Sequence, residues 1–280
     1  MVLATFLFAF AVQSQFFAYT NSLRGDAAYH RGGAETMLNG HLQGEGPLPG
    51  LLSYYGGLYP LTLAAGIRIL GVSFDGLLSV VSWFATLALP AALVLLARRV
   101  WPERPLEQGI LVLVGTVGSS LALDARVEWI NSFLPSGANI WPLYPRDVAV
   151  VLLVLALGVA MGGESLRRYA AVGLLAGVAV ATQAQVGLLT VVAVAVWAFV
   201  QTGWEHRRDA FPRALVAVGV AAAASAWWWV PRVAAVIKDR PLLLQSYPKG
   251  AGLSIATILS GFGVTGVLAL IGFVVLSRAS

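Results

Sequence analysis

The chain has 280 residues, of which 58% are hydrophobic and only 11% charged, with a mean hydropathy of +0.79. Soluble domains carry about 25% charged residues, so the composition excludes an ordinary water-soluble fold and points to an integral membrane protein. The net charge of +5 is spread over loops with no basic tract, which argues against a nucleic-acid partner, and the absence of cysteine excludes disulfides and thiolate metal sites.

The apolar runs are helix-length and do not alternate with period two. They predict an all-α, polytopic transmembrane helix bundle and not a barrel. A span takes about 20 apolar residues. In chain order the candidate spans are 2–19, 74–97, 108–123, 147–162, 169–185, 186–203, 213–230 and 254–276, about eight in all. The first has no basic region before it and ends in Phe16-Phe17-Ala18-Tyr19, so it reads as a span and not as a cleaved signal.

A polar island follows at roughly 20–60. It holds Asp26, His30, Arg31, Glu35, His41 and Glu45, an unusual concentration of titratable groups for so apolar a chain. A short helix is expected from about 26 to 39. It places Asp26 and His30, and likewise Arg31 and Glu35, on one side. The segment 58–71, LYPLTLAAGIRILG, is too short to span and carries Arg68, so it is expected to lie at the membrane face or re-enter it.

The positive-inside rule orients this arrangement. If 58–71 does not span, the arginine-rich stretches 97–105, 162–169 and 204–213 fall on one side, the cytoplasmic one. The opposite side collects 20–73, 124–146 and 231–253, so the whole chain reads as one transmembrane domain with three external segments, embedded in the plasma membrane. Gly158-x-x-x-Gly162 and Gly173-x-x-x-Gly177 are small-residue faces for close helix packing. Trp227, Trp228 and Trp229 are expected to end a span before Pro231 as interfacial anchors, with stacking on a sugar as the alternative.

The candidate chemistry lies in the external segments. Asp26 follows Gly25 and reads either as a helix N-cap or as a general base just outside the bilayer. Asp124 and Glu128, four residues apart, are solvated loop charges or ligands for a divalent cation such as Mg or Mn. Arg146, at a helix start, can hold a lipid phosphate. Arg232, Lys238, Arg240 and Lys249 offer positive charge to an anionic headgroup or a polyprenyl phosphate. Gln183 and Gln185, in TQAQ, line a cavity or simply make the turn between two spans. No nucleotide-binding loop, zinc motif or nucleophile elbow is present.

Several of these features together resemble a known family. The first span, the acidic opening Gly25-Asp26-Ala-Ala-Tyr-His30, the following NGH and the segment YGGLYPLTLAAGIRILG resemble the polyprenyl-phosphate-sugar-dependent glycosyltransferases of the GT-C superfamily. Relatives have a form closer to PPLYP near that segment. Tyr59-Pro60 and Gly71 match it, and a glycine replaces the earlier proline. The Ala97-Arg98-Arg99 span ending and the AGVAVATQAQVG turn are also similar, although relatives often carry Thr-Lys or Thr-His before a proline in that turn and this chain has neither. The resemblance implies an inverting transfer from a polyprenyl-phosphate-linked donor to an envelope glycan or lipid acceptor, with Asp26 as base. His30, Arg31, Glu35, Tyr59, Arg146, Arg232 and Lys249 would bind substrate. It also implies that the chain is the N-terminal part of a longer protein. The richness in Ala, Val, Arg and Gly suggests an actinobacterial source, where relatives build arabinan or mannan, hence an arabinosyl- or mannosyltransferase. A transporter or flippase of lipid-linked precursors, and a non-catalytic membrane subunit, are the alternatives.

Overall fold

The computed structural model describes residues 26–42, 56–117, 145–202 and 207–246, together with Leu3 and Leu7. Among them the chain is all-α, with no strand. The helices are α1 (Asp26–Leu38), α2 (Leu58–Leu70), α3 (Phe74–Val100), α4 (Pro105–Val117), α5 (Pro145–Ala160), α6 (Leu166–Thr182), α7 (Ala184–Thr202) and α8 (Arg207–Ser246).

Local sequence explains the boundaries. Gly71 closes α2 in the left-handed conformation, φ 64°, its N–H bonding back to Ile67, a conformation that glycine adopts without a Cβ penalty. Two residues on, the Ser73 hydroxyl accepts from the Gly76 N–H and starts α3, so α2 and α3 meet at a tight corner. Asp75 in the first turn of α3 and Arg98 and Arg99 in the last match the helix dipole. Ser165 caps α6 in the same way as Ser73 caps α3, accepting from the Arg168 N–H.

The packing is built on small residues. A Cβ on Gly173 of α6 would stand 2.5 Å from the Ala217 carbonyl of α8, and one on Gly177 would stand 2.7 Å from the Ala221 carbonyl. Both glycines therefore let backbone touch backbone. The match of 173 with 217 and 177 with 221 makes α6 and α8 parallel, with α7 returning antiparallel against both. Gly158 of α5 lies against Leu96 of α3. Gly162, by contrast, falls beyond the end of α5 and lies under the Arg168 guanidinium, so the pair Gly158-x-x-x-Gly162 is not one packing face.

Three apolar clusters run along the bundle. The first joins α1, α2 and the start of α3 through Ala34, Met37, Leu63 and Leu77, with Val148 of α5 against it. The second joins α3, α4 and α5 through Leu93, Val112 and Val154. The third joins α5, α6, α7 and α8 through Ala156, Tyr169, Val194 and Ala217. Next to it Tyr169 donates to the Gln201 amide oxygen, and Arg213 bridges the Glu164 carboxylate at 2.6 Å and the Thr202 hydroxyl at 2.8 Å.

The outer surface is apolar. Leu188, Leu189, Val192, Val196 and Val200 of α7 are each more than half exposed, as are Phe84 of α3 and Phe211 and Leu215 of α8. Full burial of such a side chain is worth about 1.5–3 kcal/mol, so a stripe of this kind suits lipid and not water. Among the described residues two helices, Ala184–Thr202 and Arg208–Ala235 within α8, are long and apolar enough to cross a membrane. The 58–71 segment is helical as expected and only 13 residues long, about 20 Å. The expected spans at 2–19 and 254–276 lie outside the described residues, apart from Leu3 and Leu7.

The glycine seam gives a direct test. Gly177→Val in α6 is expected to destabilise the purified protein by about 1–3 kcal/mol by overpacking. Gly219→Ala in α8, where a Cβ meets nothing within 4 Å, is expected to be neutral or to gain about 0.5–1 kcal/mol. The nine tryptophans make thermal unfolding in detergent readable by intrinsic fluorescence.

Candidate functional site

One end of the bundle gathers three sequence-distant segments. The first is the α1–α2 pair. His30 of α1 is buried, 4% exposed, and meets Tyr59 of α2 edge to face with ring centroids 5.1 Å apart. Gly33 faces Pro60 at a distance that leaves no room for a larger residue without adjustment. On the other side of α1, Arg31 donates to the Glu35 carboxylate at 2.9 Å, with both side chains about half exposed. That hydrogen bond, then the carboxylate charge, raises the Arg31 pKa above its ordinary value. It also lies 5.9 Å from the centre of the Phe74 ring at the start of α3.

The second segment is the α6–α7 turn. A Cβ on Gly56 would fall on the Thr182 carbonyl at the end of α6, so the glycine before α2 seats that helix directly on the turn. Gln183 is the single residue between α6 and α7. Its amide oxygen accepts from the Gln185 N–H at 2.9 Å and the Val186 N–H at 3.3 Å, and its amide nitrogen donates to the Gln185 side chain at 3.0 Å. Of the two readings of TQAQ, turn chemistry is the one these bonds favour: Gln183 caps the first turn of α7.

The third segment is the Trp227–Arg232 stretch of α8. A Cβ on Gly57 would stand 2.9 Å from the Trp228 ring. Trp228 is 6% exposed and Arg232 is 4% exposed. The Arg232 guanidinium lies 4.8 Å over the Trp228 ring and donates to the Trp228 carbonyl at 2.6 Å. Trp228 is therefore an internal wedge and not a lipid-facing anchor, whereas Trp227 is 37% exposed. The Trp229 indole donates to the Ala222 carbonyl. α8 does not stop at Pro231 but continues as helix to Ser246.

The expected site residues thus fall in different places. His30, Arg31, Glu35, Tyr59 and Arg232 stand at this end, and Asp26 is the first residue of α1, one turn before His30. Arg146 stands in the first turn of α5, whose Val148 packs on the α1–α2–α3 cluster. Asp124, Glu128 and Lys249 lie outside the described residues. Among the described residues no three His, Asp or Glu side chains gather as metal ligands. Sequence reasoning missed Gly56, Gly57 and Trp228 as the contacts that join the segments. The double glycine beside an aromatic-rich stretch was the available signal.

Searches against protein-family models, curated proteins and solved structures each find no match.

Two substitutions check the assembly of this end. Gly56→Val is expected to lower the thermal midpoint clearly, because its side chain cannot occupy the space of the Thr182 carbonyl, whereas Gly32→Ala, with open space around it, is not. Gln183→Ala is expected to cost about 1 kcal/mol through the lost cap.

Proposed function

We propose that the protein is a multi-pass plasma-membrane glycosyltransferase of the GT-C kind, with about eight spans and its active face extracytoplasmic. It moves a sugar, on this reading arabinose or mannose, from a polyprenyl-phosphate donor to an envelope glycan or lipid acceptor. What carries the reading is the meeting of α1–α2, the α6–α7 turn and Trp227–Arg232 at one end of the bundle, opposite the end that holds most of the described arginines.

The chemistry needs a base on the aqueous side and positive charge at headgroup depth. The acceptor hydroxyl forms the new bond to the anomeric carbon. Its proton passes to the Asp26 carboxylate, and the anomeric C–O bond to phosphate breaks with its electron pair leaving on the lipid phosphate. Arg232, fixed by its stack on Trp228, supplies charge for that phosphate without reorganising. Arg146 and Lys249 are further cations for it. His30, Arg31, Glu35 and Tyr59 shape the acceptor side. A divalent cation, if one takes part, is assigned to Asp124 and Glu128, and no step above is routed through it.

Two measurements test this reading. Asp26→Asn is expected to abolish sugar transfer by membranes loaded with a radiolabelled polyprenyl-phosphate sugar, while the thermal midpoint stays near wild type. An active Asp26→Asn protein removes Asp26 as the base, and an unfolded one supports the capping role instead. For topology, the chain has no cysteine, so single cysteines report cleanly. Arg31→Cys is expected to react with a membrane-impermeant maleimide in intact cells, and Arg208→Cys only after permeabilisation.

A further inference from the structure

The end of the bundle away from α1 and α2 carries its own charge pattern. Eight described arginines lie there: Arg98 and Arg99 at the end of α3, Arg104 before α4, Arg167 and Arg168 in the first turn of α6, and Arg207, Arg208 and Arg213 at the start of α8. Glu103, Glu107, Glu164 and Asp209 are the described acids at the same end. Arg104 pairs with Glu107 at 3.7 Å and Arg213 with Glu164 at 2.6 Å. Arg98, Arg99, Arg167, Arg168 and Arg208 make no ion pair among the described residues.

Local helix stability does not account for all five. Arg98 and Arg99 sit at the C-terminus of α3, where a cation is favourable. Arg167 and Arg168 sit in the first turn of α6, at the positive end of its dipole, where a cation is unfavourable. Both groups flank one place. Leu96, one turn before Arg99, lies against Gly158 of α5, and the Arg168 guanidinium folds over the Gly162–Gly163 turn that follows α5. The Arg168 guanidinium approaches this turn so closely that any Cβ on Gly163, which has φ 149°, would collide with its Nη1. The apolar faces that reach this end are exposed, at Val200 of α7 and at Phe211 and Leu215 of α8. A planar guanidinium offers paired donors to a phosphate. Basic side chains beside apolar helix faces fit a molecule that carries both an anionic head and acyl chains.

We propose that this end binds the headgroup of an anionic phospholipid through Arg167 and Arg168, with Arg98 and Arg99 beside them. The lipid supplies the negative charge that the first turn of α6 lacks, and it fixes the depth of this end in the membrane. The site is separate from the one at the α1–α2 end and stands whether or not sugar transfer occurs there.

The test uses the full chain in a neutral detergent, read by tryptophan fluorescence on heating. Phosphatidylglycerol is expected to raise the midpoint by about 5 °C near saturation, and phosphatidylcholine by much less. The Arg167→Gln/Arg168→Gln protein is expected to lose at least half of the difference between the two lipids, while Arg68→Gln, at an exposed position in α2, keeps all of it. A purely structural role for the two arginines lowers the midpoint equally in both lipids and leaves the difference intact, which overturns the proposal. So does an equal rise with inorganic phosphate alone, which makes the ligand a free anion. If the double variant does not fold, Arg167→Gln alone, at an exposed position, carries the same comparison, and an unchanged difference overturns the proposal.

Discussion

The close approach of α6 and α8 is the constraint on which the rest of the bundle depends. Gly173 and Gly177 bring the backbone of α6 onto the Ala217 and Ala221 carbonyls. Lipid tails are as apolar as leucine, so burying apolar area drives little helix association inside a bilayer, and packing of small residues does most of the work. Once α6 and α8 are locked side by side and parallel, α7 has one path back between their ends. The Thr182–Gln183 turn then falls at the same level as Trp227 and Trp228. The two glycines before α2 find their seat only because those levels agree.

The two ends are held by different physics. At the arginine end, Tyr169–Gln201 and Arg213–Glu164–Thr202 tie α6, α7 and α8 by hydrogen bonds and charge. At the α1–α2 end the contacts between segments include glycine under a carbonyl, glycine against an indole and histidine against tyrosine. Shape contacts of this kind place the rings and Arg232 while leaving the carboxylate of Glu35 and the cation of Arg31 turned outward. At that end charge therefore faces outward and aromatic surface lies behind it.

Much of this was legible in the sequence, and the reasons are local. The helix expected over about 26–39 is Asp26–Leu38, and the short helix expected over 58–71 is Leu58–Leu70, because glycine, proline and charge punctuate both. The Arg31–Glu35 pair followed from spacing alone. Burial did not. Four-residue spacing places His30 on a helix side but cannot say that Tyr59 waits opposite it. Pro231 misled in the other direction. It lacks one backbone donor, which reads as a stop in a single sequence, yet α8 continues past it. One turn back from the break, the Arg232 side chain donates to the Trp228 carbonyl within the same helix. The glycine pair at 158 and 162 matched a packing pattern, but Gly162 stands past the end of α5, and the pattern cannot see where a helix stops.

The length of α8 has a mechanical meaning. Forty residues make about 60 Å of helix, twice the thickness of a hydrocarbon core. From Trp227 to Lys238 is about 16 Å along its axis, so the chain carries a ruler. Whatever binds beside that stretch is registered against a scale whose zero is set at Gly173 and Gly177, deep in the bundle. A shift of α6 along α8 by one turn would move Trp227 and Trp228 by about 5.4 Å relative to the α6–α7 turn, so a packing choice between two helices sets the level at which the far end of the bundle is built.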